Sequence, residues 1–130
     1  MKLGILCTSE GLELAALIAA AESGRLAGEI KIVIADRDSE ALALAREAGL
    51  YGVFVPRAPF HANRDGFERR LAEVFFQAGA EAVVLAGYQR ELGDVLLTEF
   101  SGRVYGQGLG PEELTADLEK RLRADRLSLV

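Results

Sequence analysis

The sequence predicts a three-layer α/β domain, a doubly wound and mostly parallel sheet of about five strands with helices on both faces. Three observations predict it. Apolar runs of strand length alternate with segments of helical period along the chain. One of those runs, residues 81–86, is almost uniformly apolar, as a strand covered on both faces must be. The connections are short, so successive strands pair in parallel through right-handed crossovers. A chain of 130 residues suits one domain, residues 1–130, with a core of its own.

Residues 2–8 are a short apolar strand, and after the turn Ser9-Glu10-Gly11 the residues Leu14, Leu17, Ile18 and Ala21 recur at helical spacing. Residues 29–35 alternate Ile30, Ile32 and Ile34 as a second strand, after which Asp38 or Ser39 caps a helix ending near Gly49. Residues 52–55 form a third strand stopped by Pro56. Asp65 is expected to cap the next helix, with Glu68 three residues on completing a capping box and Phe67, Leu71, Val74, Phe75 and Ala78 as the apolar stripe. Residues 81–86 are the central strand, 94–100 a short helix, and 103–105 a fifth strand.

The last helix opens at Pro111 with Glu112 and Glu113 at the positive end of its dipole and Lys120, Arg121 and Arg123 toward the other. Its stripe of Leu114, Leu118 and Leu122, followed by Leu127, Leu129 and Val130, has two readings. It covers one side of the sheet, the favoured reading, or it joins copies of the chain in a homo-oligomer.

Half of the residues are apolar, 27% are charged and the net charge is −5, an ordinary globular balance. The basic residues are scattered rather than gathered into a stripe, which argues against a nucleic-acid partner. No apolar run approaches the ~20 residues that span a bilayer, and no leader opens the chain, so a cytoplasmic protein without membrane contact is expected. One cysteine, Cys7, and one histidine, His61, are too few for a zinc site. Cys7 reads as a core residue and His61 as a surface loop residue.

In a doubly wound sheet, ligands bind beyond the carboxyl ends of the strands where strand order reverses. That gathers three loops around one crevice, residues 8–13, 87–92 and 105–110. The middle loop is part of the run Val83-Val84-Leu85-Ala86-Gly87-Tyr88-Gln89-Arg90-Glu91-Leu92. Its Leu-Ala-Gly-aromatic-x-Arg-x-Leu spacing resembles the active-site strand and turn of the glycinamide ribonucleotide formyltransferase family, folate-dependent enzymes of purine synthesis. Residues 3–14 and Ala45-Arg46-Glu47-Ala48-Gly49 extend the likeness, which covers about residues 1–105.

The resemblance implies a Rossmann-like formyltransferase fold and a pocket for the pterin of a tetrahydrofolate derivative. In this chain that pocket would be formed by Tyr88, Gln89, Arg90, Glu91 and Leu92, with the Gln107 amide close by. It also implies a loop for the substrate phosphate, at Ser9, Glu10, Gly11, Leu12 and Glu13. There the family pattern resembles Ser-Gly-x-Gly-Ser-Asn-Leu. This chain matches Gly11 and Leu14 but carries Leu12 and Glu13 in place of the Ser and Asn.

Glu10 and Glu13 would repel a phosphate ~5 Å away by about 3 kcal/mol at an effective dielectric of 20. Read structurally, they complement the first helix dipole. Where the family carries Asn-Ile-His-Pro, this chain has Gly106-Gln107-Gly108-Leu109, so Gly106 and Gly108 stand where the resemblance puts a catalytic Asn and His. The family's catalytic Asp falls beyond residue 130.

The leading expectation is a shortened relative that binds a small molecule, folate-like or nucleotide, or a protein partner, without transferring formyl groups. A working formyltransferase completed by another chain, and a non-enzymatic oligomeric subunit, are the alternatives. Nicotinamide binding is disfavoured because the first turn lacks Gly-x-Gly-x-x-Gly, although Asp36 stands at a ribose-reading position.

Overall fold

The computed structural model describes residues 1–8 and 11–128, with side chains through Ala124. Five parallel strands, β1 (Lys2–Cys7), β2 (Glu29–Ala35), β3 (Gly52–Phe54), β4 (Ala82–Leu85) and β5 (Val104–Tyr105), form one sheet in the order β3-β2-β1-β4-β5. Helices α1 (Leu12–Glu22), α2 (Glu40–Glu47), α3 (Arg64–Gln77), α4 (Asp94–Glu99) and α5 (Pro111–Ser128) come after the strands in turn. The expected α/β class and strand number hold. Among the described residues no helix is long and apolar enough to cross a membrane.

Alternation along β1 divides the core. Leu3, Ile5 and Cys7 pack with α1, α2 and α5, while Leu6 joins Ile32, Ile34, Val83 and Leu85 under α3 and α4. Chain progression reverses between β1 and β4, so the switch point lies at their carboxyl ends. Gly4 permits the close approach of α3, because a Cβ there would collide with the Phe75 ring.

Three expectations change. α3 begins at Arg64, and its cap is Asn63, whose Oδ1 accepts the Gly66 N–H at 3.0 Å. Asp65 is therefore inside the first turn and there is no capping box. Glu68 is 1% exposed, and its carboxylate accepts the N–H of Gly93 at 2.5 Å and of Leu96 at 2.9 Å. It caps α4, whose own N-cap residue is a glycine without a side chain to do so.

α2 stops two residues early, because Gly49 at φ 78 closes it with Leu50 N–H bonded to Ala45 O at 2.9 Å. Leu114, Leu118 and Leu122 are all 0% exposed and pack in the core beside α1. The stripe is thus consumed within the chain, as in the favoured reading. Leu127, named with it, has no described side chain, and Leu129 and Val130 lie outside the described residues.

Candidate functional site at the carboxyl edge

At the switch point the loops after β1 and β4 are tied together. Gln89 N–H donates to the buried Thr8 Oγ1 at 3.0 Å, and Ala86 N–H continues the ladder to Leu6 O at 2.9 Å. Between these loops lies a crevice of about 240 Å³ lined by Gly11, Leu12, Glu13, Gly87, Tyr88 and Gln89 among others. Gly11 opens α1 in the left-handed region at φ 82, and Leu12 beyond it is 63% exposed. The Glu13 carboxylate leans across to Gly87, where a Cβ would fall 2.7 Å from its Oε2. No basic side chain lines this crevice among the described residues. The phosphate-loop candidates Gly11, Leu12 and Glu13 therefore do meet there, while Ser9 and Glu10 lie outside the described residues.

Tyr88 is fixed from below. Its hydroxyl accepts from Arg57 Nη2 at 2.6 Å, Arg57 Nε bonds Asp36 Oδ2 at 3.0 Å, and the guanidinium lies 4.6 Å from the Phe67 ring centroid. Burial pushes the Tyr88 phenol up against the lowering effect of Arg57, so it stays neutral. The Asp36 side chain is 2% exposed, with its Oδ2 paired to Arg57 and its Oδ1 without a hydrogen-bond partner among the described residues. Cys7 is a core residue as expected. Burial first, then Asp36 and Glu13, pushes its thiol up to about 12, and a thiol held neutral is unreactive.

The five candidates on the β4 turn divide. Tyr88 and Leu92 belong to the packing of the lower core, Leu92 being 8% exposed. Gln89, Arg90 and Glu91 are exposed and line a second, larger cleft of about 860 Å³. Across it stand Arg37, Arg57 and Arg64, which sequence reasoning missed, together with His61. A usable signal existed. Each of these residues comes after the carboxyl end of β2 or β3 or opens α3, and in a parallel sheet such positions face the ligand edge.

The β5 turn is built differently. Gly106 and Gly108 have φ 88 and 76, and Leu109 N–H bonds Gly106 O at 3.1 Å. A Cβ on Gly106 would collide with the Leu114 side chain and come 2.8 Å from the Leu85 carbonyl oxygen. A Cβ on Gly108 meets nothing within 4 Å, but its backbone conformation still disfavours a side chain. Gln107 is exposed between them and lines neither cleft.

A profile of the formyl transferase family matches residues 1–105. The chain belongs to the formyl transferase family. Among its relatives, phosphoribosylglycinamide formyltransferase of Escherichia coli (strain K12) is 27% identical over 105 residues, covering 80% of this chain and 49% of that protein. Glycinamide ribonucleotide transformylase 1 from Symbiobacterium toebii superposes with a TM-score of 0.75 at 33% identity, covering 80% of this chain and 49% of that one. Phosphoribosylglycinamide formyltransferase from Coxiella burnetii, solved in complex with CHES, gives 0.73 at 31% over the same shares. The chain thus spans about half the length of these relatives. The family match ends at Tyr105, one residue before the glycine turn begins.

Proposed function

We propose that this formyl transferase family member binds a small molecule at its carboxyl edge and does not itself transfer formyl groups. The supporting observation is Gly106. Formyl transfer needs a donor for the oxygen that becomes negative and a group that moves the amine's proton, contributions of roughly a hundred- to a thousand-fold and a hundred- to ten-thousand-fold. The positions that the resemblance assigns to those roles carry no side chains. At Gly106 the backbone conformation, Leu114 and the Leu85 carbonyl leave no room for one. Glu13 leaning over Gly87 further opposes a phosphate in the small crevice.

Binding is supported by the β4 turn, which keeps the family spacing and presents Gln89, Arg90 and Glu91 to a cleft large enough for a folate-like or nucleotide ligand. A coupled assay with glycinamide ribonucleotide and 10-formyl-tetrahydrofolate tests the first half. Turnover well above a buffer control overturns it. Calorimetric titration with folates and purine-pathway nucleotides tests the second half, with saturable heat expected and its loss expected on Arg90→Ala. Arg90 is the clean position to change, because it is exposed whereas Leu92 is buried.

A further inference from the structure

The outer face of α3 and α4 carries an apolar patch at the end of the sheet opposite the carboxyl edge. Phe76 is 51% exposed and Leu97 40%, on a chain that buries most of its large apolar side chains. The Phe76 ring rests on Phe100 with centroids 4.8 Å apart and planes 16° from parallel, so one of its faces is covered and the other is open to solvent. Beneath it Phe100 meets the Phe75 ring edge-on at 84°, which fixes the stack to the core. An aromatic held rigid in this way binds at low entropic cost, and such side chains anchor protein interfaces.

Charges of opposite sign share these two helix stripes. On α3, Arg69 and Glu73 precede Phe76 at the spacing of one helix face, and on α4 Asp94 precedes Leu97 in the same way. Glu73 is taken by Arg70 at 3.0 Å, whereas Arg69 and Asp94 are exposed and enter no ion pair among the described residues. Both helices follow strands of one parallel sheet, so they run the same way, and the Phe76–Phe100 stack sets their carboxyl ends level. At about 1.5 Å per residue, Arg69 and Asp94 each stand roughly 10 Å above that stack, one on either helix.

We propose that the α3–α4 face is the contact surface of a homodimer, with α3 of one protomer lying on α4 of its partner. A two-fold axis along the helices produces that arrangement. It sets Phe76 against Leu97 and Arg69 against Asp94, each pair twice, as a self-complementary surface requires. An axis across the helices would oppose α4 to α4, whose charged residues are Asp94 and Glu99, and so would bring acid against acid. The interface is separate from the carboxyl-edge clefts and does not rest on the proposed function.

The test is sedimentation equilibrium of the full chain across the micromolar range at low salt, with thermal melting to confirm that each variant folds. The wild type should show a monomer–dimer equilibrium, and Phe76→Asp should be monomeric. Arg69→Glu and Asp94→Arg each place like charges together at two points of the dimer, so either should raise its dissociation constant on the order of tenfold. The double variant Arg69→Glu/Asp94→Arg exchanges the two charges and should return the constant to within about threefold of wild type. That recovery separates a contact across the interface from damage to either helix. A wild type that stays monomeric throughout overturns the proposal. So does a dimer indifferent to Phe76→Asp or to the single reversals, and so does a double variant no tighter than the singles.

Discussion

The turns after β4 and β5 leave the sheet from neighbouring strands and are built on opposite principles. After β4 a single left-handed glycine, Gly87, reverses the chain, and the residues beyond it are tied down on several sides. Gln89 bonds Thr8, Tyr88 bonds Arg57 over buried Asp36, and Glu68 holds the N–H groups of Gly93 and Leu96. After β5 two left-handed glycines flank the exposed Gln107, and α5 starts at once, setting Leu114 directly beneath Gly106. A turn at the carboxyl edge keeps its form when several elements hold it. Its neighbour loses the room for functional side chains when the next helix packs against it.

Breaking the held turn should have the largest effect. Arg57→Ala leaves Asp36 as a buried carboxylate without its cation and removes the donor to Tyr88, so urea unfolding should show a loss of about 3–5 kcal/mol. A loss below ~1 kcal/mol would mean that the tie to Tyr88 is incidental. Refilling the emptied turn comes next. Gly106→Asn forces a side chain into a left-handed residue beside Leu114 and the Leu85 carbonyl, and should cost about 2 kcal/mol. It should bring no formyl transfer in the coupled assay. A stable, active Gly106→Asn/Gly108→His protein would erase the contrast between the two turns.

The fold was legible because its signals are redundant. Period-two apolar runs at residues 29–35 and the solid apolar run at 81–86 each identify a buried strand, and the short connections permit little besides parallel pairing. The site was legible only where one loop carries its own pattern, as at Gly87-Tyr88-Gln89-Arg90. Arg37 follows β2, whereas Arg57 and Arg64 belong to the connection from β3 into α3, so they meet only in space and no spacing announces them. Glu68 misled for the same reason. Its position relative to Asp65 suggests a local capping box, whereas its partners lie 25 and 28 residues away. A residue's local options do not include the elements that tertiary packing later brings beside it.

Cys7 ends β1 beneath both loops and reports whether the floor they share stays dry. Its folded thiol titrates near 12 against an ordinary value of 9.0, so the unfolded chain loses that proton first. The contribution is therefore fully present below about pH 9, and stability falls as pH rises from there toward 12, by roughly 1.4 kcal/mol per pH unit at most. Urea unfolding at pH 8 and pH 10 should show this extra loss in the wild type and not in Cys7→Ala. Equal losses would place water beside the thiol. Tyr88→Phe should cost less, about 1 kcal/mol, because Arg57 keeps Asp36 and its side chain is 23% exposed, so water can replace the lost hydroxyl.

The smallest effect on stability is expected at the first turn of α1, where the two substitutions Leu12→Ser and Glu13→Asn restore the residue types of the resembled phosphate loop. Leu12 is 63% exposed, and Glu13 enters no ion pair among the described residues, so the unfolding free energy should stay within ~0.5 kcal/mol of wild type. Removing the carboxylate that leans on Gly87 also takes away a repulsion of a few kcal/mol toward any anion entering the small crevice, while the α1 N-terminus still offers its free amides. Titration with glycinamide ribonucleotide should therefore show tighter binding in the double variant than in the wild type. The β5 turn is untouched by these changes, so formyl transfer should remain absent even in the variant that binds. Turnover gained with binding would mean that the glycine turn never limited the chemistry and that the difference between the two turns lies in substrate access alone.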